Sequence, residues 1–386
     1  MIFKGRSRAG NGKLIASIIG TLFICYFSFM LVLQRKVLPK KITTFEGIPL
    51  RTKIDSPKLR SIKSKVCYQR YNATAPHSND YEIQYLEDVM DRKPTTGENI
   101  FFHETTCSSS GLVHLNSRQA CAIESAARLN PDRRIYVLFA SPVGFRDVSH
   151  IPKTIEALKT YPNVHLRNNN LWRYVQDTPL EAWLSDGALF ESKYLHEHMS
   201  DVLRYVTLYK FGGMYLDLDV VVQRNFDDLG KNFAGDDSDI AIGCGVMHFD
   251  TDQLGRELSE ECLRFLLNHF NGEIFIDNGP LVLTETLERL CETRDRKLMT
   301  REQCKGFRVY PRSVFYAVSW ERWKLFFDVS MTNTTLQLTK NSTVIHVWND
   351  MSKRIIVRIG AHTAYEVTAK INCPRVYETR LNFEYF

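Results

Sequence analysis

Residues 211–222 read Phe-Gly-Gly-Met-Tyr-Leu-Asp-Leu-Asp-Val-Val-Val. This stretch is the most informative part of the sequence for predicting the fold. Asp217 and Asp219 stand between two apolar runs, which predicts that they lie where a buried strand leaves its sheet. Because residues i and i+2 of a straight strand share one face, both carboxylates can bind one cation, and hard oxygen ligands suit Mg²⁺ or Mn²⁺. Gly212 and Gly213 would permit a tight turn and a close approach of the backbone to a ligand.

Strands and helices alternate on both sides of this stretch. A strand–helix–strand order is typical of a βαβ unit and a parallel sheet, so we predict one α/β domain over residues 96–386. The predicted strands are 99–105, 134–140 and 163–166, and the predicted helices are 117–129, 178–183, 197–209, 256–270 and 279–291.

Residues 14–33 form a 20-residue segment without a charged side chain. At about 1.5 Å per residue, a helix of this length spans a hydrocarbon core of about 30 Å. The segment is longer than the apolar region of a cleaved signal peptide, which has about 7 to 15 residues. We therefore predict a retained transmembrane anchor at 14–33, a cytosolic tail at 1–13 and a stem at 34–95.

Glycosylation sequons and cysteines indicate the compartment of the chain after the anchor. Sequons begin at Asn72, Asn333 and Asn341, and eight of the nine cysteines also follow the anchor. Together they favour an oxidising lumen and a type II topology. The one local disulfide that we suggest joins Cys291 to Cys304.

The net charge of +6 does not indicate nucleic-acid binding once its location is considered. Residues 1–65 hold 14 basic and two acidic residues, so the rest of the chain carries a formal charge of −6. The basic part is the predicted tail and stem, which lie beside anionic lipid headgroups. A hydrophobic content of 44% excludes a disordered chain.

Residues 200–219, Ser-Asp-Val-Leu-Arg-Tyr-Val-Thr-Leu-Tyr-Lys-Phe-Gly-Gly-Met-Tyr-Leu-Asp-Leu-Asp, resemble the sugar-binding region of the DXD glycosyltransferases related to the α1,4-galactosyltransferase that makes globotriaosylceramide. This resemblance implies a GT-A fold, a UDP-sugar donor, Mn²⁺ or Mg²⁺, retention of configuration and a Golgi membrane location. Other matching segments are Ile100-Phe-Phe-His-Glu-Thr, Cys121-Ala-Ile-Glu-Ser-Ala-Ala-Arg, Asn278-Gly-Pro-Leu-Val-Leu-Thr and His346-Val-Trp-Asn.

The resemblance also implies roles for individual residues. Asp219 and Asp217 would bind the metal, and His346 would complete its shell, although a core histidine is an equal alternative. Asp277 and Asn278 would lie near the reacting carbon. A surface salt bridge is the alternative for Asp201 and Arg204. The implied donor-binding residues are Phe102, Glu104, Thr105, Asp201, Arg204, Tyr205, Gly212, Gly213 and Tyr215.

The implied reaction is α1,4 transfer of galactose or N-acetylgalactosamine to a glycosphingolipid such as lactosylceramide. One alternative is a haloacid dehalogenase-like phosphatase with Asp217 as nucleophile and Asp219 as acid. Such folds place the motif on their first strand, whereas here several elements precede it. The other alternative is a membrane-tethered lectin, which would have a decayed metal site, whereas Asp217, Asp219 and Arg204 are all present.

Overall fold

The computed structural model describes residues 65–69, 83–147 and 151–386. The predicted tail, the predicted anchor at 14–33 and the sequon at Asn72 lie outside the described residues. Among the described residues, no helix has both the length and the apolar character that crossing a membrane requires.

A seven-stranded sheet forms the centre of the domain, with its strands in the order β10-β8-β9-β6-β2-β3-β5. Two pairs lie outside it, β1 with β4 and β7 with β11. The strands are β1 (Gln84–Tyr85), β2 (Asn99–Glu104), β3 (Arg134–Phe139), β4 (Gly144–Phe145), β5 (Val164–Asn168), β6 (Gly213–Leu216), β7 (Val220–Val222), β8 (Phe233–Asp236), β9 (Ile242–Phe249), β10 (Arg308–Tyr310) and β11 (Val344–His346).

The sheet is mixed, which corrects the prediction of a parallel one. β6, β2, β3 and β5 are parallel neighbours, as the βαβ pattern predicted. β9 instead runs antiparallel to both β6 and β8. A turn over residues 237–241 joins β8 to β9, and so short a connection can only return the chain in the opposite direction.

Helices cover both faces of the sheet. The α-helices are α1 (Ser117–Leu129), α2 (Lys153–Lys159), α3 (Leu171–Tyr174), α4 (Glu181–Asp186), α5 (Leu195–Phe211), α6 (Gln253–His269), α7 (Pro280–Cys291), α8 (Arg312–Phe315), α9 (Thr332–Thr339), α10 (Asn349–Ser352), α11 (Ala364–Asn372) and α12 (Pro374–Glu378). Short 3₁₀ helices occur at Ala188–Glu191, Asp227–Leu229, Arg296–Leu298, Trp320–Phe326 and Val329–Met331.

Two hydrophobic cores lie on opposite faces of β2, whose six residues are all buried. Phe101 packs with residues of α5, α6 and α7, whereas its neighbour Phe102 packs with residues of α1 and α2. Successive side chains of a strand point to opposite faces, so one apolar run supplies both cores.

Gly212 and Gly213 connect α5 to β6 with φ angles of 63° and 91°. A Cβ on Gly213 would lie 2.6 Å from the backbone oxygen of Asn99, and one on Gly212 would lie 2.7 Å from the Cγ2 atom of Thr251. The two glycines therefore allow β6 to approach β2 and the residues after β9. The close approach that these glycines permit in the structure is between backbone segments, and the expected approach to a ligand stays a prediction.

Three disulfides join six of the eight cysteines that lie within the described residues. Cys291 is bonded to Cys304, the pair suggested by the sequence. The other bonds join Cys67 to Cys107 and Cys121 to Cys373. Cys244 and Cys262 are buried free thiols.

Part of the predicted stem packs with the domain. Tyr68 and Val89 are fully buried in the core that also contains Phe101. The hydroxyl of Tyr68 donates a hydrogen bond to the backbone oxygen of Thr105, 2.8 Å away. The compact core therefore extends amino-terminal of the boundary predicted at residue 96.

Candidate metal centre and ligand cavity

Asp217, Asp219 and His346 form a cluster of three potential metal ligands, with one ligand atom of each lying within 4.8 Å of the others. The two aspartates lie directly after β6, where this buried strand leaves the sheet as predicted, and they occupy the turn between β6 and β7 instead of one straight strand. Antiparallel pairing of β7 with β11 places His346 opposite Val220. The Nε2 atom of His346 lies 3.4 Å from Asp217 Oδ2 and 3.1 Å from Asp219 Oδ1.

The donor set fits a divalent cation. Two carboxylate oxygens and one imidazole nitrogen suit Mn²⁺, and the carboxylates also suit Mg²⁺. Gly245 on β9 leaves room for the cluster, since a Cβ there would lie 2.5 Å from Asp217 Oδ2 and 3.2 Å from the Cδ2 atom of His346. Asp217, Asp219 and His346 are therefore the residues that would hold the ion.

Electrostatics within the cluster favour opposite charges on its members. Burial lowers the pKa of His346, but the carboxylates of Asp219 and Asp217 outweigh it and raise the pKa to about 10. Burial raises the pKa of Asp217, but Arg204 and His346 outweigh it and hold the pKa well below its usual range. Asp217 is thus ionised, as a metal ligand must be, whereas His346 would have to release its proton when an ion binds.

Arg204 on α5 is buried and lies between two carboxylates. One of its terminal nitrogens lies 3.0 Å from Asp201 Oδ1 and 3.3 Å from Asp217 Oδ1. Its other nitrogens donate to the backbone oxygens of Cys244 and Ser200 at 3.0 and 3.2 Å. Arg204 is only 5% exposed, so its ion pair with Asp201 is not the surface salt bridge that was the alternative interpretation. Arg204 fixes the Asp217 carboxylate and forms part of the cavity wall.

Two further contacts orient the aspartates. The hydroxyl of Tyr215 donates to Asp217 Oδ1 at 2.7 Å and also lies 2.8 Å from the hydroxyl oxygen of Ser200. The backbone N–H of Asn349 donates to Asp219 Oδ2 at 2.7 Å. Each aspartate therefore keeps one oxygen in a protein hydrogen bond and turns the other toward His346, which is how supporting contacts fix metal ligands.

The cluster opens into a cavity of about 660 Å³. Most of the residues that the sequence assigned to the site line this cavity, and six do not. Those lining it are Glu104, Thr105, Asp201, Arg204, Tyr215, Asp217, Asp219 and His346. Those outside the lining are Phe102, Tyr205, Gly212, Gly213, Asp277 and Asn278.

Phe102 and Tyr205 support the site from within the core. Phe102 is fully buried among apolar side chains, so its ring has no face free for a nucleoside. Tyr205 is also fully buried, and its hydroxyl donates to the backbone oxygen of Gly279 at 2.7 Å. Neither side chain lines the cavity, so the proposed function does not include direct contacts between these two residues and the donor.

Asp277 and Asn278 form hydrogen bonds within the loop before α7 and lie outside the cavity lining, and their expected place near the reacting carbon stays a prediction. The side-chain amide of Asn278 donates to the backbone oxygen of Asn271 at 2.6 Å and accepts from its N–H at 2.9 Å. The side-chain amide of Asn271 donates to Asp277 Oδ2 at 2.8 Å. These bonds hold Gly279 against Asp201, where a Cβ on Gly279 would lie 2.2 Å from Asp201 Oδ1.

Asp201 is a carboxylate of the cavity wall whose ionisation is disturbed by burial. Burial raises its pKa, Arg204 opposes the shift, and the resulting value is about 7. Its protonated and ionised forms can therefore both exist near neutral pH. A carboxyl group of this kind can accept or donate a hydrogen bond to a hydroxyl-rich ligand.

The residues of the cavity wall that the sequence analysis missed include Asp237, Tyr316, Trp320 and Trp348. Asp237 and Tyr316 are buried, yet Asp237 Oδ1 and the Tyr316 hydroxyl have no hydrogen-bond partner among the described residues. Buried polar groups are normally paired, so a polar ligand or water is the expected partner. Trp348 lies in the His346-Val-Trp-Asn segment, so the family resemblance could have indicated it. No sequence pattern indicated Asp237, Tyr316 or Trp320.

An Asp-x-Asp metal cluster beside a deep cavity in a mixed α/β sheet defines a DXD glycosyltransferase. Residues 116–234 match the family described as "Glycosyltransferase sugar-binding region containing DXD motif". Residues 251–380 match the "Alpha 1,4-glycosyltransferase conserved region". The chain belongs to the α1,4-glycosyltransferase family, which decides against the phosphatase interpretation.

Named relatives agree with this family. The lactosylceramide 4-alpha-galactosyltransferase of Rattus norvegicus is 32% identical over 66% of this chain and 68% of its own length. The alpha-1,4-N-acetylglucosaminyltransferase of Homo sapiens is 27% identical over 67% of this chain and 74% of its own length. Among solved structures, the PaToxG glycosyltransferase has a TM-score of 0.37 at 13% identity, covering 75% of this chain and 99% of that one.

Replacing Gly245 by alanine is expected to weaken Mn²⁺ binding by about 10- to 100-fold, the range that altered supporting contacts produce. The added Cβ, 2.5 Å from Asp217 Oδ2, must displace that carboxylate. Titration with Mn²⁺, followed calorimetrically, measures the effect. Gly272→Ala is the control, because its Cβ would meet only residues outside the cavity lining, at 3.1 Å or more. Equal Mn²⁺ affinities for the two variants would contradict the prediction.

Proposed function

We propose that this chain transfers galactose from UDP-galactose, in α1,4 linkage and with retention, to a glycosphingolipid that ends in galactose. The observation that carries the proposal is the Asp217–Asp219–His346 cluster at the wall of a cavity of about 660 Å³. The name of the rat relative, lactosylceramide 4-alpha-galactosyltransferase, supports both the donor and the acceptor. An N-acetylhexosamine donor is the second candidate, because the human relative is named an N-acetylglucosaminyltransferase.

A GT-A fold on a type II Golgi anchor is part of the proposal. The parallel strands β2 and β6 end at the cavity, and open α/β sheets bind ligands at this edge. The three disulfides suit an oxidising compartment. The apolar segment at 14–33 would supply the anchor, with residues 1–13 in the cytosol.

The chain's own residues hold the reacting groups. A divalent ion, Mn²⁺ or Mg²⁺, would neutralise negative charge on the departing diphosphate. Asp217, fixed by Arg204 and Tyr215, and Asp219, fixed by Asn349, would hold that ion together with His346. Side chains elsewhere in the wall would accept or donate hydrogen bonds to the nucleoside and the sugar, namely Glu104, Thr105, Asp201, Asp237 and Tyr316.

Front-side displacement is the mechanism that we propose for retention. Asp277 and Asn278, which the resemblance implied would lie near the reacting carbon, are outside the cavity lining. Displacement on one face requires only that the acceptor hydroxyl be positioned. A bond then forms from the acceptor oxygen to the anomeric carbon as the bond to the diphosphate breaks, and the hydroxyl proton passes to the departing diphosphate oxygen.

The full-length protein in detergent, supplied with Mn²⁺ and lactosylceramide, tests this function. UDP-galactose, UDP-N-acetylgalactosamine and UDP-N-acetylglucosamine are compared as donors, and transfer is measured by mass spectrometry of the lipid product. Transfer from UDP-galactose is expected to be fastest. Preference for an N-acetylhexosamine would replace the proposed donor, and a lack of transfer from any sugar nucleotide would refute the proposed reaction.

Lumenal orientation predicts that the protein carries N-linked glycans. Asn333 and Asn341 are exposed in the structure, so both are accessible to modification, whereas Asn72 lies outside the described residues. Endoglycosidase treatment of the protein from cells is expected to lower its apparent mass on a gel. An Asn333→Gln, Asn341→Gln double variant should show a smaller shift. An unchanged mass for the original protein would count against the lumenal orientation.

A further inference from the structure

We propose that exposed apolar side chains around the mouth of the cavity form a docking surface for the lipid bilayer that holds the acceptor. We call this surface the apolar rim. Of its members, Ile240, Phe275 and Trp320 line the cavity, and the exposed Ile274, Ile355 and Ile356 lie within three residues of a lining residue in the chain. The inference rests on the proposed function, because it takes the acceptor to be a glycolipid embedded in a membrane.

Three members of the apolar rim line the cavity and remain accessible to solvent. Ile240 is 61% exposed, Trp320 is 39% exposed and Phe275 is 38% exposed. Ile274, beside Phe275 in the chain, is 49% exposed. Single exposed apolar residues are ordinary on a protein surface. Here three loops that are distant in sequence bring such residues to one opening.

The fourth segment of the apolar rim combines basic and apolar residues. Lys353 lines the cavity, and Arg354 beside it is exposed. Ile355 and Ile356, which follow, are 38% and 69% exposed. Basic side chains beside apolar ones match the boundary between anionic headgroups and acyl chains. A tryptophan, as at position 320, is typical of the same boundary.

The segment after α10 is held in place by Arg118 on α1. One terminal nitrogen of Arg118 donates to the backbone oxygen of Ser352 at 3.0 Å, and the other donates to the backbone oxygen of Ile355. The guanidinium group also lies 5.0 Å from the centre of the Phe327 ring. The backbone of the segment that contains the cavity-lining Lys353 is therefore fixed to α1.

A bilayer fits this surface better than a partner protein does. A protein seated on residues that surround the mouth would close the cavity to the donor and the acceptor. A bilayer would instead present the sugar headgroup of the acceptor directly at the mouth. The exposed Arg354 adds a positive charge that complements anionic lipid, whereas the ammonium group of Lys353 is paired with Asp350 at 2.7 Å. The predicted anchor at 14–33 would hold the chain on the same membrane.

Comparison of a membrane-embedded acceptor with a soluble one tests the apolar rim. The full-length protein in vesicles is given either lactosylceramide in the same vesicles or free lactose in solution. The test variant is Ile274→Ser with Ile356→Ser, because both residues are exposed and neither lines the cavity. We expect kcat/KM for lactosylceramide to fall roughly tenfold, given the apolar area removed, and kcat/KM for lactose to stay unchanged.

The matched control is Leu298→Ser with Ile371→Ser, which are 56% and 62% exposed and also lie outside the cavity lining. This control is expected to leave the ratio of the two acceptors unchanged. Equal losses on both acceptors, or no loss on either, in the test variant would overturn the inference. The same loss in the control variant would also overturn it, because the effect would then not belong to the apolar rim.

A second readout does not depend on activity. Tryptophan fluorescence of the full-length protein is measured in vesicles that contain brominated lipid. Quenching is expected to decrease in Trp320→Phe, because Trp320 would lie at the lipid boundary. Quenching that is identical in the original protein and in the variant would overturn the inference. If no sugar is transferred to either acceptor but quenching depends on Trp320, the proposed function fails and the docking surface stands.

Discussion

Replacement of Asp219 by alanine is expected to lower sugar transfer by at least about 10²- to 10³-fold, the cost of removing one main stabiliser of developing charge. Asp219 Oδ1 faces His346, and Asn349 holds Asp219 Oδ2. The substitution thus removes a metal ligand and leaves the apolar core intact. Initial rates over a series of Mn²⁺ concentrations measure the effect.

The control for this experiment is Glu260→Ala, which removes an exposed carboxylate on α6. Mn²⁺ is expected to raise the melting temperature of the original protein and of the control, because it binds the folded state, and to raise that of Asp219→Ala much less. Retained transfer in Asp219→Ala at ordinary Mn²⁺ concentrations would remove Asp219 from the metal site.

Replacement of Arg204 by methionine is expected to lower the free energy of unfolding by about 3 to 5 kcal/mol, which is typical for breaking a buried ion pair. The change leaves Asp201 and Asp217 near each other without the cation between them. Transfer should fall as well, because Asp217 loses the group that fixes it. Urea denaturation in the presence of a metal chelator measures the loss of stability.

Arg264→Met is the matched control, because Arg264 forms an exposed pair with Glu260 one helical turn away. Such pairs contribute about 0.3 to 0.5 kcal/mol, so this variant should be nearly as stable as the original protein. Excess Mn²⁺ should restore part of the stability of Arg204→Met by compensating the charge of Asp217. Equal stability losses in the two variants would contradict a buried role for Arg204.

The helices and strands that the sequence predicted best are those whose bounds are determined by residues nearby in the chain. The predicted bounds of α1, 117–129, coincide with the structure. There Asn116 and Gln119 form a capping box that determines where the helix begins. Position 117 follows a residue type that favours the N-cap, and the apolar spacing runs to residue 129. Short-range patterns of this kind need no knowledge of the rest of the fold.

The candidate metal centre required long-range information. Asp217 and Asp219 were found from their own apolar surroundings, but His346 was recognised only through the family resemblance. Pairing of Val220 with His346 joins segments that are far apart in the chain, and no periodicity in either segment indicates the other. Without the resemblance, His346 could equally have been a histidine that packs in the core.

The least successful predictions were those about which groups an individual residue contacts. Sequence gives the type of a residue but not the atom that it meets. Gly213 contacts the backbone of β2, and Asn278 forms its hydrogen bonds within its own loop. Asp237 and Tyr316 were missed because turns and loops around them carry no periodic pattern, although both reach the cavity wall.

The pairing of β7 with β11 has a genetic consequence. Residues 344–346 complete the metal cluster, yet they are translated long after the Asp-x-Asp turn. A nonsense or frameshift allele whose change falls after codon 219 and before codon 344 would encode the whole DXD signature and no imidazole ligand. Such alleles would be null for transfer, even though a search for the motif would score them as intact.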